Sequence, residues 1–267
     1  MRMCLCCSIL KDCKMYTLNQ LQERRSVRSY TAEPIPDTVR RSLNADISEL
    51  NSHLQGLRLQ IVYGDDTPFR GRMGGYGMFA GVNNYVAAVI DTGVQFSAER
   101  AGYGCQQIGM DAVTHGLGTC FVGGTFSAQA IPVQVRAGEK IEFIVTLGYA
   151  AEKTRTMARL MAGFAHRKRM VGRDFFDADR SAVSYDEAVK RYPLLAPALD
   201  AVSCAPSAMN RRPERFYLDS EGTIRAYVKE YSGFNPIDLG IAKYNFMQLL
   251  PGEWDFGNDA PFLPFEE

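Results

Sequence analysis

"CAPSAMNRRP", residues 204–213, closes an apolar, helix-like run with a rigid, polar corner. Pro206 fixes the backbone and lacks an N–H. Ser207 can cap a following short turn, and Asn210 carries both a donor and an acceptor. With Ala208 between them, these residues can read the edge of a planar heterocycle. The same ten residues also serve as a plain helix–loop–strand connector. A second stretch far upstream, "ERRSVRSY" at 23–30, bears on the choice. There Arg24, Ser26 and Arg28 fall at i, i+2 and i+4, which in extended chain is one face. Two guanidinium forks and a hydroxyl on that face suit a phosphate dianion, with Arg25 joining from the bend. The spacing equally describes a solvated basic strand.

Between these stretches the chain alternates helix and strand. Thr17 and Gln20 form a capping-box pattern ahead of a short helix over 18–24. Val39, Leu43, Ile47, Leu50 and Leu54 recur at helical spacing. "LRLQIVYG" and "NYVAAVID" read as strands. A long helix is expected from a Ser97 cap to His115. It carries Gly102, Gly104 and Gly109, each costing about 1 kcal/mol relative to Ala inside a helix. Close approach of a neighbouring helix is the expected compensation. "TCFVGG" and "KIEFIVTLGYA" are strands, the first ending at Gly123 and Gly124, where a flat ring can come close to backbone N–H groups.

In the second half, Leu195, Leu199 and Val202 mark a helix. "RFYLD" and "TIRAYVKE" form a hairpin around Glu221-Gly222, "PIDLGIAKYNFMQLL" is a helix with Asp238 near its start, and "GEWDF" is a last strand. Hairpins without strict βαβ alternation predict an α+β fold.

The chain has 267 residues, with 30 basic and 30 acidic side chains. That balance argues against nucleic acid or an anionic membrane as partner, and no apolar run is long enough to span a bilayer. Cys4, Cys6, Cys7 and Cys13 match neither zinc nor iron–sulfur spacing. Residues 1–14 read as a loose leader, with Met15 a natural start. Cys105, Cys120 and Cys204 read as reduced, buried thiols of a cytoplasmic protein. His53, His115 and His166 have no partners at metal-ligand spacing. Phosphate-loop, nucleophile-elbow and dinucleotide fingerprints are missing.

Taken together, "RRSVRSY", "HGLGTCFVGG" followed by "LGYAAEK", and "APSAMNRRPERFYL" resemble the nitroreductase family of FMN-dependent oxidoreductases, from about residue 16 onward. In ordinary members the Ala-Pro-Ser motif lies between the other two. Here it comes last, and "NADISELNSHLQGLRLQIVYG" holds its usual place. The resemblance therefore implies the family's single-chain branch, with two degenerate halves at 15–152 and 153–267 imitating the usual dimer. FMN would be held by Arg24, Arg25, Ser26, Arg28, Gly123 and Gly124 from the first half, and by Pro206, Ser207, Ala208 and Asn210 from the second. Arg155 or Arg159 would add a phosphate contact.

The resemblance further implies one FMN site per chain, a monomer made possible by the pseudo-dimer, and no catalytic side chain, since the flavin carries the chemistry. NADH or NADPH would deliver a hydride, and a nitroaromatic, quinone or similar small molecule would accept it by a ping-pong route. Alternatives are another flavin chemistry on the same scaffold, a flavin-binding sensor or store without turnover, or a colourless α+β binding protein. Two positions depart from the family pattern: Arg212 stands where glutamine is usual, and Glu214 where tryptophan is.

Overall fold

A computed structural model describes residues 14–70, 78–152 and 170–265. Helix α1 spans Leu18–Glu23, with the predicted capping box at Thr17 and Gln20. Helix α2 (Asp37–His53) leads into strands β1 (Leu57–Tyr63) and β2 (Asn84–Asp91). Helix α3 (Ser97–Thr114) follows, then β3 (Gly118–Val122) and β4 (Glu139–Gly148). Ser97 does not cap α3. Phe96 takes the cap position with φ 63°, and the Ser97 hydroxyl donates instead to the Asp91 carbonyl, 2.9 Å away.

The second half contains α4 (Tyr185–Arg191), α5 (Leu195–Ser203), β5 (Glu214–Leu218), β6 (Ile224–Val228), α6 (Asn235–Met247), β7 (Gly252–Trp254) and β8 (Ala260–Pro264). Helix α4 carries a capping box at Ser184 and Glu187.

The strands form two antiparallel four-stranded sheets, ordered β1-β2-β4-β3 and β5-β6-β8-β7. Each sheet therefore runs first, second, fourth, third, and each has one buried helix between its second and third strands: α3 in one half, α6 in the other.

These two helices pack against each other, and glycine permits the crossing. A Cβ on Gly102 would strike the carbonyl of Ile237, and one on Gly240 would strike the carbonyl of Glu99. Ile237 precedes Gly240 by three residues, as Glu99 precedes Gly102, so the contact is reciprocal, as across a twofold axis. Of the three helix glycines, Gly102 has the expected role. Gly104 faces Leu54 and Leu57 instead, and a Cβ on Gly109 would meet only ordinary contacts.

The crossing also exchanges core residues. Ile237 and Ile241 of α6 join the first half's apolar cluster, and Tyr103 of α3 packs on the second's. Among the described residues no helix is long and apolar enough to cross a membrane.

Candidate functional site

The corner at 205–213 begins where α5 ends. Ala208–Asn210 make one 3₁₀ turn, and Met209, Asn210 and Arg212 all lie in the left-handed region, with φ of 52°, 54° and 51°. Non-glycine residues hold that conformation only when their surroundings over-determine it, and four hydrogen-bonding side chains do so here. The Asp238 carboxylate accepts from the Ala208 N–H, at 2.9 and 3.1 Å to its two oxygens. Ser207 Oγ accepts from the Arg212 N–H at 3.0 Å, closing the corner's exit rather than capping its turn. The Arg212 guanidinium donates to the Ser203 carbonyl at 2.6 Å and to Asn210 Oδ1 at 2.9 Å. Arg212 is thus a brace inside the corner.

The upstream basic stretch is pinned to the first sheet. Ser26 bridges to Thr119, and the Val27 N–H donates to the Thr119 carbonyl at 2.9 Å. A Cβ on Gly118 would overlap the Val27 side chain, so only glycine lets the segment lie this close. Tyr30 Oη lies 2.6 Å from both the Val27 carbonyl and Thr146 Oγ1.

Arg24, Ser26 and Arg28 do not share one face. Arg24 is the C-cap of α1, where the chain bends, so strand alternation begins only after it. Arg24 turns inward and is 8% exposed, and its Nε and Nη1 have no hydrogen-bond partner among the described residues. Burial lowers its pKa to about 10, with Cys120 and Cys204 opposing the shift and the Arg212 charge adding to it. Burial also pushes the Cys120 thiol up, so Cys120 is neutral near pH 7 and supplies no counter-charge. All three described cysteines are free, as expected, although Cys204 is only half-buried.

The two stretches meet across a cavity of about 660 Å³, within the usual range for small-molecule sites. The first half lines it with Ser26, Arg28, Gly123 and Gly124; the second with Pro206, Ser207 and Ala208. Of the other expected site residues, Arg24 is buried and is not among the residues that line the cavity, Arg25 is exposed, and the Asn210 side chain is turned toward Arg212. Arg155 and Arg159 lie outside the described residues.

Asp238, Arg211 and Phe234 line the cavity too, and none is among the site residues expected from the sequence. Of these, only Asp238 carried a signal, an acid in the first turn of a helix.

Glu214 is buried directly behind the corner, and its Oε2 has no partner among the described residues. Burial, with the nearby Asp238 charge adding to it, pushes its pKa up to about 8. Burial likewise lifts Asp238 to about 7, opposed by the Ala208 N–H and Arg211. The sign for stability follows. Both groups lose their protons near pH 4 in the unfolded chain but keep them to about pH 7–8 when folded. The folded state binds more protons in that window, so their contribution to stability falls as pH rises through it. Calorimetry is expected to show the Tm dropping from about pH 5.5 to about pH 8.5, and Glu214→Gln should flatten the drop. Equal slopes in both proteins would contradict the assignment.

Comparison with known proteins adds the family. The family model described as "Putative TM nitroreductase" matches residues 16–249. The chain belongs to that nitroreductase family. Among solved structures, a "putative nitroreductase" from Thermotoga maritima shares the fold over 93% of each chain, at TM-score 0.59 and 17% identity. An FMN-dependent nitroreductase from Clostridium difficile aligns with 58% of this chain and 100% of its own, at TM-score 0.40 and 15% identity. A Bacteroides fragilis nitroreductase with bound FMN aligns with 52% of this chain and 90% of its own, at TM-score 0.40 and 16% identity. No curated protein matches the chain. The mixed helix-and-sheet architecture is that of this nitroreductase family, and the family supports an oxidoreductase.

Proposed function

We propose that this nitroreductase-family chain binds one FMN in the cavity between its halves and reduces small organic acceptors with electrons from NADH or NADPH. The observation that carries the reading is the cavity, lined from one half by Ser26, Arg28, Gly123 and Gly124 and from the other by Pro206, Ser207 and Ala208, with the Arg24 guanidinium buried two residues from Ser26 and two of its nitrogens unpaired among the described residues. A buried cation of this kind needs an anion, and the phosphate of a flavin mononucleotide is one. The remaining residues fit the group. Arg28 and Ser26 add a second fork and a hydroxyl on the cavity wall. Gly124 is open among the described residues, none of which comes within 4 Å of where a Cβ would stand. Pro206 to Ala208 form a stiff wall held by Asp238. Bound there, FMN would supply two-electron chemistry, taking a hydride from a nicotinamide donor and passing it to a nitroaromatic or quinone in a ping-pong cycle. The protein's part is to hold, orient and shield.

We further propose that the chain is an internal pseudo-dimer with a single working site. The matching strand orders and the reciprocal Gly102–Gly240 crossing support this. At the place related to Gly123 by that reciprocity, the Gly257 N–H donates to Glu99 Oε2 at 3.0 Å. Tyr231 Oη donates to the same oxygen at 2.5 Å. Lys243 Nζ donates to Glu99 Oε1 at 2.6 Å and to the Asp255 and Gly257 carbonyls at 3.0 Å. Both charged side chains are fully buried, and their polar atoms are satisfied by each other and by the backbone, as a buried pair requires. The second place is sealed.

Reconstitution followed by flavin absorbance near roughly 450 nm and a protein assay tests both ideas. One FMN per chain is expected, together with NAD(P)H oxidation that depends on an added acceptor. A colourless product overturns the flavin reading, two FMN per chain overturns the sealed second place, and bound flavin without NAD(P)H oxidation overturns turnover.

A further inference from the structure

The residue before each crossing helix is a phenylalanine, and each ring lies on a glycine of the opposite half. Phe96 lies against Gly257, and Phe234 against Gly123. Their surroundings differ. The Phe96 ring atoms come within 3.0–3.4 Å of a Cβ built on Gly257, and the ring meets Tyr231 edge-on at 6.2 Å. The Gly257 N–H beneath it is taken by Glu99, so that ring is a fixed wall.

Phe234 is 42% exposed and lines the cavity. It lies so close to Gly123 that a Cβ there would stand 2.5 Å from Cε1 and 2.6 Å from Cζ. Its backbone is anchored, because the Phe234 carbonyl accepts from the Asp238 N–H at 3.0 Å. Gly233 before it has φ 58°, and no described residue lies within 4 Å of where its Cβ would stand. A swing about χ1 alone therefore moves the ring without disturbing α6, a fast motion for an exposed side chain.

We infer that Phe234 is the specificity-determining gate of the cavity: its ring rests on Gly123 and swings aside to admit a flat acceptor, so the size of side chain 234 sets how large an acceptor is reduced. This rests on the flavin reading above. A ring lying on the strand-end glycine must share that space with, or yield it to, any planar molecule that comes to it.

The test compares the FMN-loaded wild type with Phe234→Ala, Phe234→Leu and Phe234→Trp. The acceptors are 1,4-benzoquinone and 9,10-phenanthrenequinone, both uncharged, of one and three fused rings. Removing the ring is expected to raise the phenanthrenequinone-to-benzoquinone ratio of kcat/KM by about tenfold or more, the scale on which apolar pockets discriminate by size. Leu should fall between Ala and the wild type, and Trp should lower the ratio. Phe234→Ala should also release FMN several-fold faster, read from flavin fluorescence without turnover. If Ala misfolds, Leu and Trp decide the matter. Ratios within twofold of wild type in every variant that folds, each holding wild-type FMN, overturn the gate and leave the flavin reading standing. A wild-type chain that holds no FMN overturns that reading and the gate with it.

Discussion

Purified Arg24→Glu is expected to be colourless, while the wild type reconstitutes with FMN. Three facts lead there: Arg24 is 8% exposed, two of its guanidinium nitrogens lack partners among the described residues, and burial has already lowered its pKa to about 10. A cation in that state is held at a cost in the ligand-free chain. The binding of an anion returns that cost, so its loss should be large, and reversing the charge should add repulsion of the phosphate. A loss of affinity of at least about a thousandfold is expected, since charge-assisted hydrogen bonds contribute roughly 1.5–3 kcal/mol each.

Arg24→Met sharpens the test. It should also lose FMN, yet melt higher than wild type when ligand-free, because the unpaired charge is gone. A merely structural arginine would move both readouts down. Ser207→Trp, which fills the opposite wall, should likewise fail to bind. If either Arg24→Glu or Ser207→Trp stays fully loaded, the two halves do not share one site.

How far the sequence foretold this site depends on the range of the interactions. The corner could be read because Pro206 and Ser207 act on their own backbone. The glycine-rich end of β3 could be read for the same reason. The inward turn of Arg24 could not, because Arg24 is the C-cap of α1 and strand alternation starts only after it. Arg212 and Glu214 looked like departures at the cavity edge. Arg212 instead holds Asn210 and Ser203, and Glu214 is buried beside Asp238. Both roles depend on partners brought near by folding. Strand β8 is hidden in the sequence, where Pro261 and Pro264 speak against a strand, yet it pairs with β6 and β7. Helix α4 carries a local signal, the capping box of Ser184 and Glu187, and is the short helix absent from the elements expected above.

The largest effect on stability is expected from Gly240→Val. Every residue of α6 from Pro236 to Met247 is buried, and a Cβ at 240 would overlap the Glu99 carbonyl and crowd the Tyr103 N–H. Those are backbone atoms inside α3, so no rotamer change relieves the clash. The helices would have to separate, and with them Glu99 and Lys243, joined at 2.6 Å, and Gln106 and Asn245, joined at 2.9 Å. Prising open a buried ion pair and an apolar seam together places the loss above about 4 kcal/mol, enough to leave the chain insoluble or unfolded.

Alanine gives the graded version. Gly102→Ala and Gly240→Ala should each lower the Tm markedly. The double variant should lose less than their sum, because one separation accommodates both methyls. Gly109→Ala is the internal control, since its Cβ would meet only Thr119 Oγ1 at 3.9 Å and Gln106 Oε1 at 4.0 Å. There the helix propensity of Ala should raise stability by about 0.5–1 kcal/mol. Strict additivity of the two crossing-site losses would mean that Gly102 and Gly240 do not relieve one and the same contact, and the reciprocal crossing would fail with it.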